Sequence, residues 1–305
     1  MGASSDFLKL NSGYNCPKIG LETALIKKEE DKNIVYQSIK DGIRLIDTEP
    51  DNEEMVGKEI KMAIDQGIVQ REKLFIVTKL ELEEKEDPEK ALRKSLERLQ
   101  LKYVDLYLDH WPSCICINDP KKYKLIPVKD TWEKLERLVD LGLTKSIGVC
   151  NYNIENMFNI LSVCKIKPAV IEAEFNPYLY QKDLKEFCDL EKIRLFAYNP
   201  LVRGKYENED FIIENKLDIF KNNSLIFLKE DFYPKFTIGQ IILKWHMQLG
   251  VIPICGTSKL ERMKENLAVE DLTIDKKHMN LIGANEEKQH RFNDGSKIFG
   301  INIFS

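Results

Sequence analysis

Three ionisable residues stand at the ends of three separate apolar runs. Asp47 closes Leu45-Ile46-Asp47, Lys79 follows Leu74-Phe75-Ile76-Val77-Thr78, and His110 follows Val104-Asp105-Leu106-Tyr107-Leu108 and Asp109. Runs of this length and character read as strands, and residues at the C-terminal ends of parallel strands meet at one mouth. A buried lysine beside an aspartate keeps its charge, and an ammonium lowers the pKa of a nearby hydroxyl. An imidazole beside them could move or orient a proton. The same trio could also be a retained ion pair and a hydrogen-bonded histidine with no chemistry, because charge networks that perturb ionisation are often purely structural.

The elements that must position these residues repeat along the chain. Further strand-like runs are Ile19-Gly20-Leu21, Ser146-Ile147-Gly148-Val149, Ala169-Val170-Ile171, Leu195-Phe196-Ala197-Tyr198 and Val251-Ile252-Pro253-Ile254, which make eight in all. Amphipathic segments fill the gaps. Asp87-Pro88 supplies an N-cap and a proline at the first helical position, with Leu92, Leu96 and Leu99 on one face. Asp130 predicts a second helix start, with Leu135, Leu138 and Val139 inward. Eight strand–helix units predict an α/β protein, a closed (β/α)8 TIM barrel formed by residues 1–305 as one domain. An open doubly wound sheet is the alternative, but no Gly-x-Gly-x-x-Gly follows any strand. Phe7 to Tyr14 alternates and contains a glycine turn, which predicts an N-terminal β-hairpin. The polar segment from about Arg203 to Lys235 predicts a long loop after the seventh strand, as a lid or a surface insertion.

Composition narrows the class. The 305 residues carry 46 basic and 50 acidic side chains for a net charge of −4, and 43% are hydrophobic. The balance gives no reason for a nucleic-acid partner, and no segment approaches the ~20 apolar residues that span a bilayer. Seven cysteines, most of them in apolar runs and none behind a signal peptide, read as reduced thiols of a cytoplasmic protein. Cys114-Ile115-Cys116 is spaced too closely for zinc and reads as two loop thiols, so no metal site is expected. The start Met1-Gly2 approaches a myristoylation pattern, but Asp6 stands where a hydroxyl residue is required.

Four stretches together carry a family resemblance. Ile46-Asp47-Thr48 with Asn52-Glu53 and Val56-Gly57 is one, and Leu106-Tyr107-Leu108-Asp109-His110-Trp111-Pro112 is the second. Ser146-Ile147-Gly148-Val149-Cys150-Asn151-Tyr152 is the third, and Ile252-Pro253-Ile254-Cys255-Gly256-Thr257 with Glu261-Arg262 and Glu265-Asn266 is the fourth. In this order they resemble the aldo-keto reductases, barrel enzymes that reduce carbonyls with NADP(H). Arg291-Phe292-Asn293-Asp294-Gly295 resembles the C-terminal loop of the same family.

The resemblance implies catalytic roles for Asp47, Lys79 and His110, and cofactor-binding roles for Thr23, Asn151, Glu172, Tyr198, Arg262 and Asn266. It implies a ring stacked on Tyr198, a carboxamide bonded by Asn151, and an adenosine phosphate held by Arg262 and Asn266. It also marks departures. Between Asp47 and Asn52 the family carries a proton-donating tyrosine, whereas this chain reads Thr48-Glu49-Pro50-Asp51 and is about two residues short. Glu22 replaces a glycine of the cofactor cradle, Ala24 an aromatic, Glu172 a glutamine, Ile171 an asparagine and Cys150 a serine. Glu49 could donate a proton only if desolvation kept it neutral, and Pro50 stiffens its turn. Asp109 stands where an apolar residue is usual, with its side chain expected to face away from the lumen, toward a helix lysine or a partner.

Two expectations follow. One is an aldo-keto-reductase-like protein with a degraded site, catalytically weak or inactive, with weakened or lost NADP(H) binding and a binding or structural role toward a protein partner. The other is an active NADP(H)-dependent reductase of small aldehydes and ketones that uses Lys79 and His110 with a donor other than tyrosine.

Overall fold

The computed structural model describes residues 7–24, 26, 33–112, 115–116, 119–123, 126–202, 217–257, 259–269, 271–284, 290–300 and 302–304. Cys114 and residues 203–216 of the segment expected as a lid or insertion lie outside the described residues.

The predicted hairpin forms from β1 (Phe7–Lys9) and β2 (Asn15–Pro17), antiparallel, with Leu8 opposite Cys16. It closes the lower end of the molecule. Asn11 Nδ2 donates to the Pro168 carbonyl at 2.7 Å, and the Ser12 and Ser146 hydroxyls lie 2.7 Å apart. Both contacts fall at strand beginnings.

Eight parallel strands then close on themselves. They are β3 (Gly20–Glu22), β4 (Leu45–Asp47), β5 (Phe75–Leu80), β6 (Val104–Asp109), β9 (Thr144–Cys150), β10 (Val170–Glu174), β11 (Arg194–Tyr198) and β12 (Ile252–Gly256). A small antiparallel ribbon, β7 (Ile115–Cys116) with β8 (Asp119–Tyr123), intervenes after β6. Ile46 pairs with Leu21 on one side and Ile76 on the other, and Cys255 opposite Leu21 seals the ring. The structure therefore decides for the barrel over the open sheet.

Strand alternation sorts the side chains into two cores. Ile46, Ile76, Tyr107, Val149, Ile171 and Leu195 face the surrounding helices, while Leu45, Val77, Leu106, Val170, Phe196 and Ile252 fill the lumen. The next inward positions, one pleat higher, are Asp47, Lys79, Leu108, Glu172 and Tyr198. The floor of the lumen is thus apolar and its mouth is charged.

The helices form for identifiable reasons. The helix Pro88–Leu99 starts as predicted, with Asp87 accepting from the Lys90 amide at 3.0 Å and with Leu92, Leu96 and Leu99 buried. The helix Val128–Asp140 begins two residues before the predicted start at Asp130, whose own amide already donates to the Pro127 carbonyl at 2.9 Å. Asp130 is a first-turn acid favoured by the helix dipole rather than a cap. The helix Glu53–Asp65 crosses Pro88–Leu99 so closely that a Cβ on Gly57 would lie 2.6 Å from the Arg98 carbonyl oxygen. No described helix is long and apolar enough to cross a membrane.

Candidate active site

The turn after β4 is held by its own side chains. Thr23 Oγ1 donates to the Asp47 carbonyl at 2.9 Å. Asn52 Nδ2 donates to the Thr23 carbonyl at 2.7 Å, and Asn52 Oδ1 accepts from the Thr48 hydroxyl at 2.5 Å. Thr23 and the Thr48 hydroxyl are therefore spent on tying β3 to β4. The segment Thr48–Asp51 carries no tyrosine. Below it, Glu53 is fully buried, accepting from Thr78 Oγ1 at 2.5 Å and from Arg98 Nε at 2.7 Å.

Lys79 lies between two carboxylates. Its ammonium donates to Asp47 Oδ1 and Oδ2 at 2.6 and 2.7 Å and to the Thr48 carbonyl at 3.4 Å, and it stands 3.5 Å from Glu172 Oε1. The attraction of both carboxylates holds Lys79 charged against its burial. Burial and the nearby Glu172 push the Asp47 carboxyl well above the usual carboxylate range, against the pull of Lys79. The Cys150 thiol, raised chiefly by burial, donates to Glu172 Oε1 at 3.5 Å.

His110 reaches the same mouth from the end of β6. Its Nδ1 lies 2.9 Å from Glu81 Oε1. Asn151 adopts the left-handed backbone region, with φ of 61°. This turns its side chain so that Nδ2 donates to the His110 carbonyl at 3.1 Å, while Oδ1 accepts from the Tyr198 hydroxyl at 2.7 Å. Asp47, Lys79, His110, Asn151, Glu172 and Tyr198 therefore surround one small cavity, together with Glu22, Ala24 and Asn293. Its volume is about 30 Å³, room for one or two waters, so a larger ligand must sit over this floor rather than within it. Of the remaining sequence-derived candidates, Thr23 lies beneath the turn. Arg262, exposed, and Asn266, buried, sit on the helix Leu260–Leu267 after β12 and do not line this cavity.

Outside the lumen a second buried cluster accounts for Asp109. Its Oδ1 is 2.7 Å from Lys85 Nζ, and its Oδ2 accepts from the Tyr152 hydroxyl at 2.7 Å. Lys85 also donates to the Trp111 carbonyl. The partner is a lysine in the turn before Pro88–Leu99, not a helix residue. Trp111 packs edge-on against Phe299 with ring centroids 5.4 Å apart, so the C-terminal segment forms part of the rim. Asn293 is fixed there by its amide, which donates to Glu174 Oε2 at 2.9 Å. Sequence reasoning missed Glu81, Lys85 and Glu174. Glu81 and Glu174 each stand two residues beyond a residue already assigned to the mouth, and that spacing in a strand was the available signal.

The model of the aldo/keto reductase family matches residues 18–287. The chain belongs to the aldo/keto reductase family. The NADH-dependent D-xylose reductase of Candida parapsilosis is 32% identical over 99% of this chain and 98% of its own length. An NADPH-dependent aldose reductase of Saccharomyces cerevisiae is 33% identical over 95% and 96%. Among solved structures, the aldose reductase of Schistosoma japonicum superposes with a TM-score of 0.85 at 27% identity, covering 97% of this chain and 96% of that one. A Bombyx mori aldo-keto reductase in complex with NADP gives the same TM-score at 29% identity, with 97% of each chain covered.

Proposed function

We propose that this aldo-keto reductase binds NADP(H) at the barrel mouth and has become weak in carbonyl turnover because the phenolic acid is gone. The observation that carries this reading is the environment of Lys79. Its ammonium is committed to Asp47, Glu172 and a backbone carbonyl, and the neighbouring turn offers no phenol for it to activate. Tyr198 is the one tyrosine among the described residues lining the cavity, and its hydroxyl is bonded to Asn151.

The cofactor reading draws on relatives named for NADH or NADPH dependence and on a solved relative in complex with NADP. The residues fit such a molecule in one respect that this structure supplies. Glu172 Oε2 is a buried polar atom at the cavity with no partner among the described residues, which suits a ligand with its own polar edge. Tyr198 and Asn151 would hold the nicotinamide end, and Arg262 with Asn266 the adenosine phosphate. Glu22, at the end of β3 opposite Asp47, places a carboxylate in the cradle and opposes a pyrophosphate. When bound, the cofactor supplies the hydride; the chain supplies position, exclusion of water and whatever proton reaches the carbonyl oxygen. Small carbonyl compounds are the substrate class, since the relatives are named for xylose and aldose.

Loss of a general acid removes about 10²–10⁴-fold in rate. Titration of the protein with NADPH, followed by fluorescence, should saturate. Aldehyde-dependent NADPH oxidation should run slower than in a tyrosine-bearing relative by about that factor. Equal turnover would overturn the reading. The Glu81–His110 contact favours a second reading, in which His110 delivers the proton. His110→Ala abolishes the residual turnover in that case and leaves it unchanged in the first.

A further inference from the structure

At the end of the barrel opposite the mouth, cations meet around an apolar hollow. Lys18 and Ile19 lead into β3, and Ile43 and Arg44 lead into β4, so all four stand where the parallel strands begin. There Ile19, Ile43 and Val269, with Met247 of the helix Ile238–Gln248 and Leu267 of the helix Leu260–Leu267, wall a cavity of about 400 Å³. That volume lies in the range of small-molecule sites, whereas the floor of the mouth holds about 30 Å³.

Lys18, Arg44 and Lys244 line the same cavity, and among the described residues no Asp or Glu does. The chain as a whole carries a net charge of −4, so this gathering of positive charge runs against the balance of the molecule. Arg44 is the fixed member. Its Nη1 donates to the Ile39 and Ile43 carbonyls at 2.7 and 2.8 Å, at the end of the helix Ile34–Lys40. Its Nε and Nη2 make no hydrogen bond, and it has no carboxylate partner, among the described residues. Burial pulls Arg44 below the ordinary guanidinium value, the mark of a cation stripped of part of its water. Lys18, partly buried, makes no hydrogen bond or ion pair among the described residues either. Lys244 Nζ donates to the Val269 carbonyl at 3.1 Å, which holds it at the wall. The acid next to Gly42, Asp41, is engaged elsewhere: it accepts from Gln37 Nε2 at 3.1 Å and lies 3.8 Å from Lys264 Nζ.

We propose that this cavity is a second binding site, for an amphipathic organic anion. Its oxyanion head, a carboxylate or a phosphate monoester, pairs with Arg44 and Lys18, and its apolar chain or ring lies against Ile19, Ile43, Met247, Leu267 and Val269. The Nε–Nη2 edge of a guanidinium grips two oxygens of such a head by parallel hydrogen bonds. The surrounding apolar walls reward burial of a hydrocarbon body. The beginnings of barrel strands often serve stability alone. Stability accounts for the Nη1 bonds of Arg44, but not for a second, unengaged donor edge beside apolar walls. The site is separate from the mouth and does not depend on the NADP(H) reading.

Isothermal titration of the full chain with octanoate and with octyl phosphate, below their micelle concentrations, tests the proposal and tells the two heads apart. At least one of them should bind saturably. Acetate, which lacks the body, and octanol, which lacks the charge, should each bind at least about tenfold more weakly, the value of one charged hydrogen bond or of a buried hydrocarbon segment. Lys18→Glu should weaken the preferred anion by about tenfold or more, since it sets a like charge beside the head. Lys18 holds no other group in place, so this variant carries the test even if substitution of Arg44 disturbs the fold. Arg44→Lys keeps the charge and loses the fork, and should weaken the same anion by a similar factor, with thermal melting as the check that it folds. The proposal is overturned if neither amphipathic anion binds, if acetate or octanol binds as tightly, or if Lys18→Glu leaves the affinity unchanged, which would place the anion elsewhere.

Discussion

Lys79 is a single positive charge doing the work of two. Replacing it with methionine leaves Asp47 and Glu172 buried without a cation. Breaking a buried ion pair by removing one partner costs about 3–5 kcal/mol. Lys79→Met should therefore lower stability by that amount at neutral pH in urea unfolding, and regain part of it in acid as the carboxyls take up protons. Asp47, Lys79 and His110 were visible in the sequence because each terminates a strand. The attachment of Glu172 to the same ammonium was not visible, since β10 lies three strands from β5 around the ring and nothing in local spacing links them. The same holds for Asp109. The period-two alternation placed it outside the lumen, but only the path of the turn before Pro88–Leu99 brings Lys85 to it.

At the scale of the elements, the strands follow the apolar runs closely because a parallel barrel buries both faces of each strand. Helix starts were less certain. Asp87 was recognisable because a cap followed by proline is a strong signal, and Asp87→Ala should cost about 1 kcal/mol in thermal or urea unfolding. Asp130 misled because first-turn acids and caps look alike in sequence. Gly57 shows what neither pattern nor propensity reveals. Its helix interior position is unfavourable by itself, yet the neighbouring helix backbone leaves no room for a Cβ. Gly57→Ala should destabilise by about 1–3 kcal/mol, although alanine is the better helix former. A gain in stability on substitution, read by circular dichroism melting, would show that the crossing is looser than the structure places it.

Across the whole molecule, the described cysteines differ by burial. Cys16, Cys150, Cys188 and Cys255 are buried and Cys164 is partly exposed. Burial pushes the Cys188 thiol up to about 12 and raises those of Cys16, Cys150 and Cys255 well above their ordinary range; burial and then the nearby Glu136 also raise that of Cys164. Thiolate is the reactive form, so among these five, brief alkylation of the native protein should label Cys164 first and leave the other four for the unfolded chain. Peptide mapping checks the order, and early labelling of Cys150 would mean that the cup opens readily. The chain by itself determined the repeat, and with it the barrel, because strand and helix periodicities are written locally and eight units can close in few ways. It also determined the absence of a tyrosine between Asp47 and Asn52. Only the tertiary structure decided how the mouth balances its charge, because electrostatic partners are chosen by ring closure and depth of burial, and neither quantity exists along a one-dimensional chain.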